Sequence, residues 1–209
     1  MSFSVEMIDR LRESVAASMS EWRFRHTAEV ELMAQRLGEL YAPDKLDMLR
    51  AAALLHDITK EKSTEEHLEI LRRNGAVSEL GAASPKTLHA ESAVWVIREQ
   101  YGEFATDELL SAVGRHTTGH PDMTVTDAVI YLADYIDMSR SFDDCVYLRE
   151  YFWSRSPELM SEDERLAHLW DTVRVSFDLT LKALLNEGAV ISVTTVAARN
   201  AMLLRAAGK

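Results

Sequence analysis

The chain has 209 residues, enough to bury the core of one domain. Its 34 acidic and 23 basic side chains give a net charge of −11, so its surface repels the phosphates of long nucleic acid. The one cysteine, Cys145, excludes an internal disulfide and argues against a thiolate zinc site, and no stretch approaches the roughly 20 consecutive apolar residues of a membrane-spanning helix.

Ala, Leu, Glu and Arg are common and Gly and Pro scarce, a mix that favours helices. Met1 to Glu6 has neither a basic segment nor an apolar core, so no signal peptide is read and a cytoplasmic location is expected. Residues 4–20 form the first expected helix, with Ile8, Leu11, Val15 and Met19 at helical spacing. Trp22 to Tyr41 form the second, with His26 in its first turns. A third spans 44–57, runs through the apolar stretch Leu49 to Leu55, and ends in His56-Asp57. Ser63, followed by Glu65 and Glu66, reads as a helix start that carries the chain to about Arg73, and residues 75–84 read as a loop. Pro85 opens the helix that carries His89 and ends near Tyr101. A helix over about 105–115 ends at His116, Thr117 to Pro121 is a turn, and a helix over 124–138 contains Asp134. No element is assigned between that helix and Ser161. A long amphipathic helix then runs from Ser161 to Asn186, and a last one from about Thr194 to Leu204. The expected architecture is all-α, an irregular multi-helix bundle.

His56-Asp57 at the end of a buried helix needs an explanation, because a buried unpaired carboxylate is costly. A helix C-terminus that favours a His is the simplest one. His26, His89, His116 and Asp134 change it, since each belongs to a different expected helix or helix end, and separate helices can converge such residues on one interior point. Mixed imidazole and carboxylate ligands suit Fe, Mn, Co, Ni or Zn. His26, His56, Asp57 and Asp134 suffice for one ion, and His89 and His116, with Asp57 bridging, for a second. Two ions roughly 3.5–4 Å apart would share a bridging hydroxide, the nucleophile of two-metal hydrolysis. Lys60, three residues after Asp57, is placed to offset phosphate charge. Arg115 and Arg140 either hold phosphates or make structural ion pairs, and the turn Thr117-Thr118-Gly119 offers hydroxyls and N–H groups to an anion. His120 is a loop residue or a phosphate contact. His67, among Glu65, Glu66 and Glu69, reads as a surface residue, and His168, beside Trp170, as a packed one.

The words Arg25-His26-Thr27, Leu55-His56-Asp57-Ile58-Thr59-Lys60, Leu88-His89-Ala90, Arg115-His116-Thr117-Thr118-Gly119, Leu132-Ala133-Asp134 and Ala198-Arg199-Asn200 resemble the HD-domain metal-dependent phosphohydrolases, and within them the bacterial YqeK-like subgroup. The resemblance runs from about residue 5 to 204. It implies a single HD-type domain over 1–209, with about 20–140 as the metal-binding core and 141–209 as helices that complete it. It implies symmetrical cleavage of diadenosine tetraphosphate to two ADP, two divalent ions (iron foremost) on the six ligands, and Lys60, Thr117, Thr118, Gly119 and Arg140 around the nucleotide; the residues themselves add Arg115 and His120 to the expected substrate contacts, with Asp57 and Lys60 as the expected catalytic residues. The alternatives are another HD-type nucleotidase or phosphoesterase, a di-iron oxygenase, and a nucleotide-binding module without turnover. His120 and Asp137-Met138 depart from the subgroup's usual basic residue and Glu-Pro pair, which bears on substrate preference. The aromatic-rich stretch 146–170 either forms a homodimer surface or finishes the core.

Overall fold

The computed structural model describes residues 3–206, and among them there are ten α-helices and no strand. They are α1 (Val5–Ser18), α2 (Glu21–Tyr41), α3 (Leu46–Leu55), α4 (Thr64–Arg73), α5 (Pro85–Gln100), α6 (Asp107–Arg115), α7 (Val125–Ile136), α8 (Asp143–Trp153), α9 (Glu162–Glu187) and α10 (Val193–Ala206). The expected all-α bundle is what the chain forms, and its starts are set by local chemistry. Ser4, Ser20, Ser63, Thr106, Thr124 and Ser161 each accept a backbone N–H of the following first turn. At Ser63, Thr124 and Ser161 an acidic residue three positions on returns the bond, which closes a capping box.

Helix α3 is the centre of the molecule. Seven of its ten residues, from Met48 to Leu55, are buried, and it packs against α1, α2, α6 and α7. Ala51, Ala52 and Ala53 keep its girth small, so four helices can approach it. Gly38 does the same on α2: a Cβ there would stand 2.8 Å from methyls of both Leu46 and Leu49. Because α3 is wrapped on all sides, whatever follows Leu55 emerges in the interior. His56 caps it, and a run of turns then carries the chain to Lys60.

Three expectations are corrected. The third helix does not include 44–45 or reach 57: Pro43–Lys45 is a 3₁₀ turn, and α-helix covers only Leu46–Leu55. The stretch left without an element contains α8, which buries Cys145, Leu148 and Phe152. Its apolar stripe is short, and the exposed Tyr147 between these positions blurs its period. His67 is not a surface residue: it is 4% exposed and its Nδ1 lies 2.8 Å from Ser92 Oγ. His168 is packed as expected, stacked on Phe152 with Nε2 donating to the Phe152 carbonyl at 3.0 Å. Phe152 is fully buried and the half-buried Trp153 and Trp170 pack against the same core, while Tyr147 stays exposed.

Candidate metal centre

His26 on α2, His56 and Asp57 after α3, His89 on α5, His116 at the end of α6 and Asp134 on α7 meet at one interior point. Asp57 is in the middle. Its Oδ2 faces His56 Nε2 at 3.6 Å and His26 Nε2 at 3.9 Å. Its Oδ1 faces His89 Nε2 at 3.3 Å and His116 Nε2 at 3.8 Å. Asp134 Oδ1 closes the first side, 3.0 Å from His26 Nε2 and 3.7 Å from His56 Nε2. His89 Nε2 and His116 Nε2 lie 2.9 Å apart on the other.

The surroundings aim these atoms inward. His56 Nδ1 donates to the Ala53 carbonyl at 2.6 Å, and His116 Nδ1 to the Val113 carbonyl at 2.6 Å. A carbonyl only accepts, so both rings carry their proton on Nδ1 and turn the Nε2 lone pair toward the cluster, as a metal ligand must. His56 Nε2 and Asp57 Oδ1 are buried without a hydrogen-bond partner. Orphaned buried polar atoms are rare in folded proteins and call for a partner. Ligand atoms of His26, His56 and Asp134 lie within 4.8 Å of one another, and so do those of His56, Asp57 and His116. The donors are imidazole and carboxylate only, a set that fits a divalent first-row metal.

The electrostatics agree. Burial pushes the Asp57 carboxyl upward, but the facing His56 and His116 rings and Lys60 override it and hold the carboxyl well below the usual carboxylate range. Burial opposes ionisation of Asp134 too, and Arg140 and His26 outweigh it, so Asp134 also stays ionised. Burial, with His116 and Lys60 nearby, pushes His89 well below the usual histidine range, into the neutral form that ligates. His26 goes the other way: burial disfavours its charge, but bonds to Asp134 and Asp137 raise it to about 9.

Among the residues expected around the nucleotide, the structure brings three to the cluster. Lys60 Nζ is 2.9 Å from His89 Nε2 and 3.7 Å from Asp57 Oδ1, and burial lowers its pKa in spite of Asp57 and Asp134. Thr117 Oγ1 lies 3.1 Å from His89 Nε2. Arg140 bonds the side chain and the carbonyl of Asp134. The other four are committed elsewhere. Arg115 donates at 2.8 Å to buried Asp127, the capping-box residue of α7, and at 3.0 Å to the Asp122 carbonyl. Thr118 gives its hydroxyl to the Gly119 carbonyl, and its own carbonyl accepts from Thr195. His120 Nδ1 accepts the Asp122 N–H at 3.1 Å.

Gly119 has its N–H on the Arg115 carbonyl, at 2.9 Å and φ +66°, in the left-handed conformation that ends a helix. A Cβ here would stand 2.3 Å from the buried Phe177 ring. The glycine is required by packing, and Gly119→Ala is expected to destabilise the protein by roughly 2–4 kcal/mol, through strain at positive φ and overpacking. Thermal unfolding of the variant measures it, and an unchanged midpoint would refute it.

Several residues beyond those expected also line the cluster. Arg23 donates to Asp57 Oδ2 at 2.9 Å. It lies three residues before His26, hence on the same helix face, and that spacing was the available signal. Asp137 is wholly buried, accepts from the Ser139 N–H at 2.8 Å, and has Oδ2 3.5 Å from His26 Nδ1. Ser139 Oγ is 3.1 Å from the same nitrogen. A buried chain from His67 through Ser92 and Thr59 ends on the His89 carbonyl, at 2.8 Å from Thr59 Oγ1. No sequence pattern marks that chain, because its members come from three separate elements. A cavity of about 620 Å³ opens at the cluster, lined by Arg23, His26, Lys60 and Arg140, which contact the candidate ligands or are among them, and by the exposed Trp22, Met138 and Phe142.

An all-α bundle that closes on a buried His/Asp cluster in the order His, His-Asp, His, His, Asp defines a metal-dependent HD domain. The HD domain profile matches residues 23–139, more than half of the chain, and the chain belongs to this family. It is 31% identical over 128 residues to a symmetrical bis(5'-nucleosyl)-tetraphosphatase of Halalkalibacterium halodurans, covering 61% of this chain and 67% of that one. With the enzyme of the same name from Bacillus subtilis it shares 32% identity over 61% of this chain and 68% of that one. The crystal structure of an HD superfamily hydrolase from Clostridium acetobutylicum, described as involved in NAD metabolism, superposes with a TM-score of 0.78 at 27% identity, covering 98% of this chain and 100% of that one. The divalent metal centre expected from the sequence accords with the family and the clustered ligands. Among the described residues no helix is long and apolar enough to cross a membrane.

Proposed function

We propose that the protein is a metal-dependent phosphohydrolase that cleaves diadenosine tetraphosphate symmetrically into two ADP. The observation that carries this reading is the split use of Asp57, whose Oδ1 faces one histidine pair and Oδ2 another, the arrangement a shared ligand of two cations needs. His26, His56 and Asp134 would hold one ion and His89 and His116 the other, with Asp57 common to both; iron is the first candidate, then Mn, Co, Ni or Zn. Bound divalent ions supply Lewis-acid polarisation of a phosphoryl oxygen and acidify water.

The chain's own groups do the rest. Arg23, Lys60 and Arg140 put three cations around the inner cavity of a protein whose net charge is −11, so a tetraphosphate is drawn to this spot and its charge is offset there. Lys60 Nζ stands at the Asp57 Oδ1 side, within reach of the reacting phosphate and of the leaving phosphate oxygen. In the reaction, water oxygen bonds to one of the two central phosphorus atoms, the central bridging P–O bond breaks, and the other half leaves as ADP. His56 and Asp57 lie in the interior, which limits stray water at the reacting bond. The substrate is a small nucleotide, in keeping with the names of the relatives.

Chromatography of products after incubating the manganese-loaded or iron-loaded protein with diadenosine tetraphosphate tests the reading. ADP as the sole nucleotide product is expected. Formation of ATP with AMP, or no turnover with either metal, would overturn it.

A further inference from the structure

We propose that Trp22 and Phe142 form a stacking clamp for the nucleobase of the bound nucleotide, so that the outer part of the cavity reads the base while the inner part holds the phosphates; this rests on the proposed nucleotide substrate. Three large apolar side chains stand exposed in the cavity wall: Trp22 at 71%, Phe142 at 70% and Met138 at 60%. They come from two separate places in the chain, the first turn of α2 and the α7–α8 connection, and meet only at this opening. The same cavity is lined by His26, which is buried, and by the half-buried Lys60 and Arg140, which reach the metal-ligand cluster. A flat apolar rim over a cationic floor matches a molecule with a flat ring at one end and a polyanion at the other, which is the chemistry of a nucleoside polyphosphate.

Phe142 is placed against local preference. Phe142 is the N-cap of α8 and makes no side-chain cap bond, whereas the N-caps of α1, α2, α4, α6, α7 and α9 are Ser or Thr with that bond made. The starts of α3 and α5 also lack a side-chain cap bond, but among the described helices only α8 places a large exposed aromatic ring at the cap. Trp22 is one-sided: the Arg23 guanidinium lies 4.7 Å from its ring centroid, and Arg23 is itself fixed by the ion pair to Asp57 at 2.9 Å. One ring face is thus backed by a held cation while most of the ring remains open, a platform fixed before any ligand arrives. Stacking depends on ring area more than on the edge pattern of the base, so purine nucleotides should bind more tightly than pyrimidine ones.

Calorimetric titration of the manganese-loaded protein with ADP and, separately, with inorganic pyrophosphate separates base from phosphate. Trp22→Ala and Phe142→Ala are each expected to weaken ADP by about 5- to 100-fold and pyrophosphate by no more than about twofold. Trp22→Phe keeps a ring and should recover most of the ADP affinity. Equal weakening of both ligands, no weakening of either, or a wild-type protein that binds pyrophosphate as tightly as ADP would overturn the clamp. Turnover of diadenosine tetraphosphate by the same wild-type preparation is read alongside: its absence counts against the proposed reaction, while the difference between ADP and pyrophosphate still decides the clamp.

Discussion

Asp57→Asn should abolish hydrolysis of diadenosine tetraphosphate, lowering kcat by on the order of 10³-fold or more, and should reduce metal content in the same preparation. The substitution keeps the shape of the side chain and removes its charge. Asp57 is 3% exposed and collects contacts from Arg23, His26, His56, Lys60, His89 and His116. An amide can present one oxygen to one side only, and its NH₂ must face the other, where the histidine Nε2 atoms or Arg23 and Lys60 already stand. Both ions would then lose their common ligand, and the half-buried Arg23 and Lys60 would lose their counter-charge. Folding is checked by circular dichroism and metal by elemental analysis. A folded variant that retains its metal and more than about a tenth of wild-type kcat would refute the bridging role.

The sequence already points to residues that converge in the structure because of where the candidate ligands sit. His56-Asp57 follow a helix buried on all sides, and His89, His116 and Asp134 stand on or at the end of helices among buried apolar neighbours, so burying these stretches carries their polar residues inward. Helices with hydroxyl caps and a strong period, such as α4, α7 and α9, were legible to within a few residues. Helix α8 was not, because it starts without a cap bond and interleaves Tyr147 and Tyr151 with its buried positions. His67 was misread for a related reason: three glutamates surround it in sequence, but they lie on the other faces of α4, and only its neighbour Ser92 on α5 defines its environment.

The charged groups beyond the ligands were harder to assign, since a guanidinium takes whichever carboxylate the fold brings near. Arg115 precedes His116 and Arg140 follows Asp134 by six residues, and the sequence offers both the same two roles. Arg115 is used by the capping box of α7, and only Arg140 reaches Asp134. Asp137 stands where the resemblance led one to expect a longer acid, yet it is wholly buried and reaches His26 through a one-residue turn shared with Ser139. Such partners are a matter of tertiary placement, and spacing in the chain does not encode them.

The placement of Asp137 leads to the second large effect, a steep dependence of metal affinity on pH. In the protein alone His26 is flanked by Asp134 on Nε2 at 3.0 Å and by Asp137 on Nδ1 at 3.5 Å. Burial disfavours the imidazolium, but these carboxylates outweigh it and raise the pKa from 6.5 to about 9. An ion that takes Nε2 of His26 must therefore displace a proton at neutral pH, while Nδ1–H stays on Asp137 and Ser139. Affinity at this position should rise about tenfold per pH unit below pH 9, or roughly 100-fold from pH 7 to 9, before levelling off. The stability of the metal-free protein runs the opposite way. A folded-state pKa above the unfolded one gives stabilisation that is complete below about 6.5 and is lost as pH rises through about 9, a loss on the order of 1–3 kcal/mol. Chelator-treated protein should accordingly melt lower at pH 9.5 than at pH 6.5, whereas the shift produced by a fixed concentration of manganese should grow over the same interval. Asp137→Asn removes the carboxylate that holds the Nδ1 proton, so it should flatten both trends. Calorimetry in two buffers of different ionisation enthalpy counts the released proton directly. Release of no proton at pH 7, or a manganese shift that does not change between pH 7 and 9, would mean that His26 is already neutral and that Asp137 serves the fold rather than the metal.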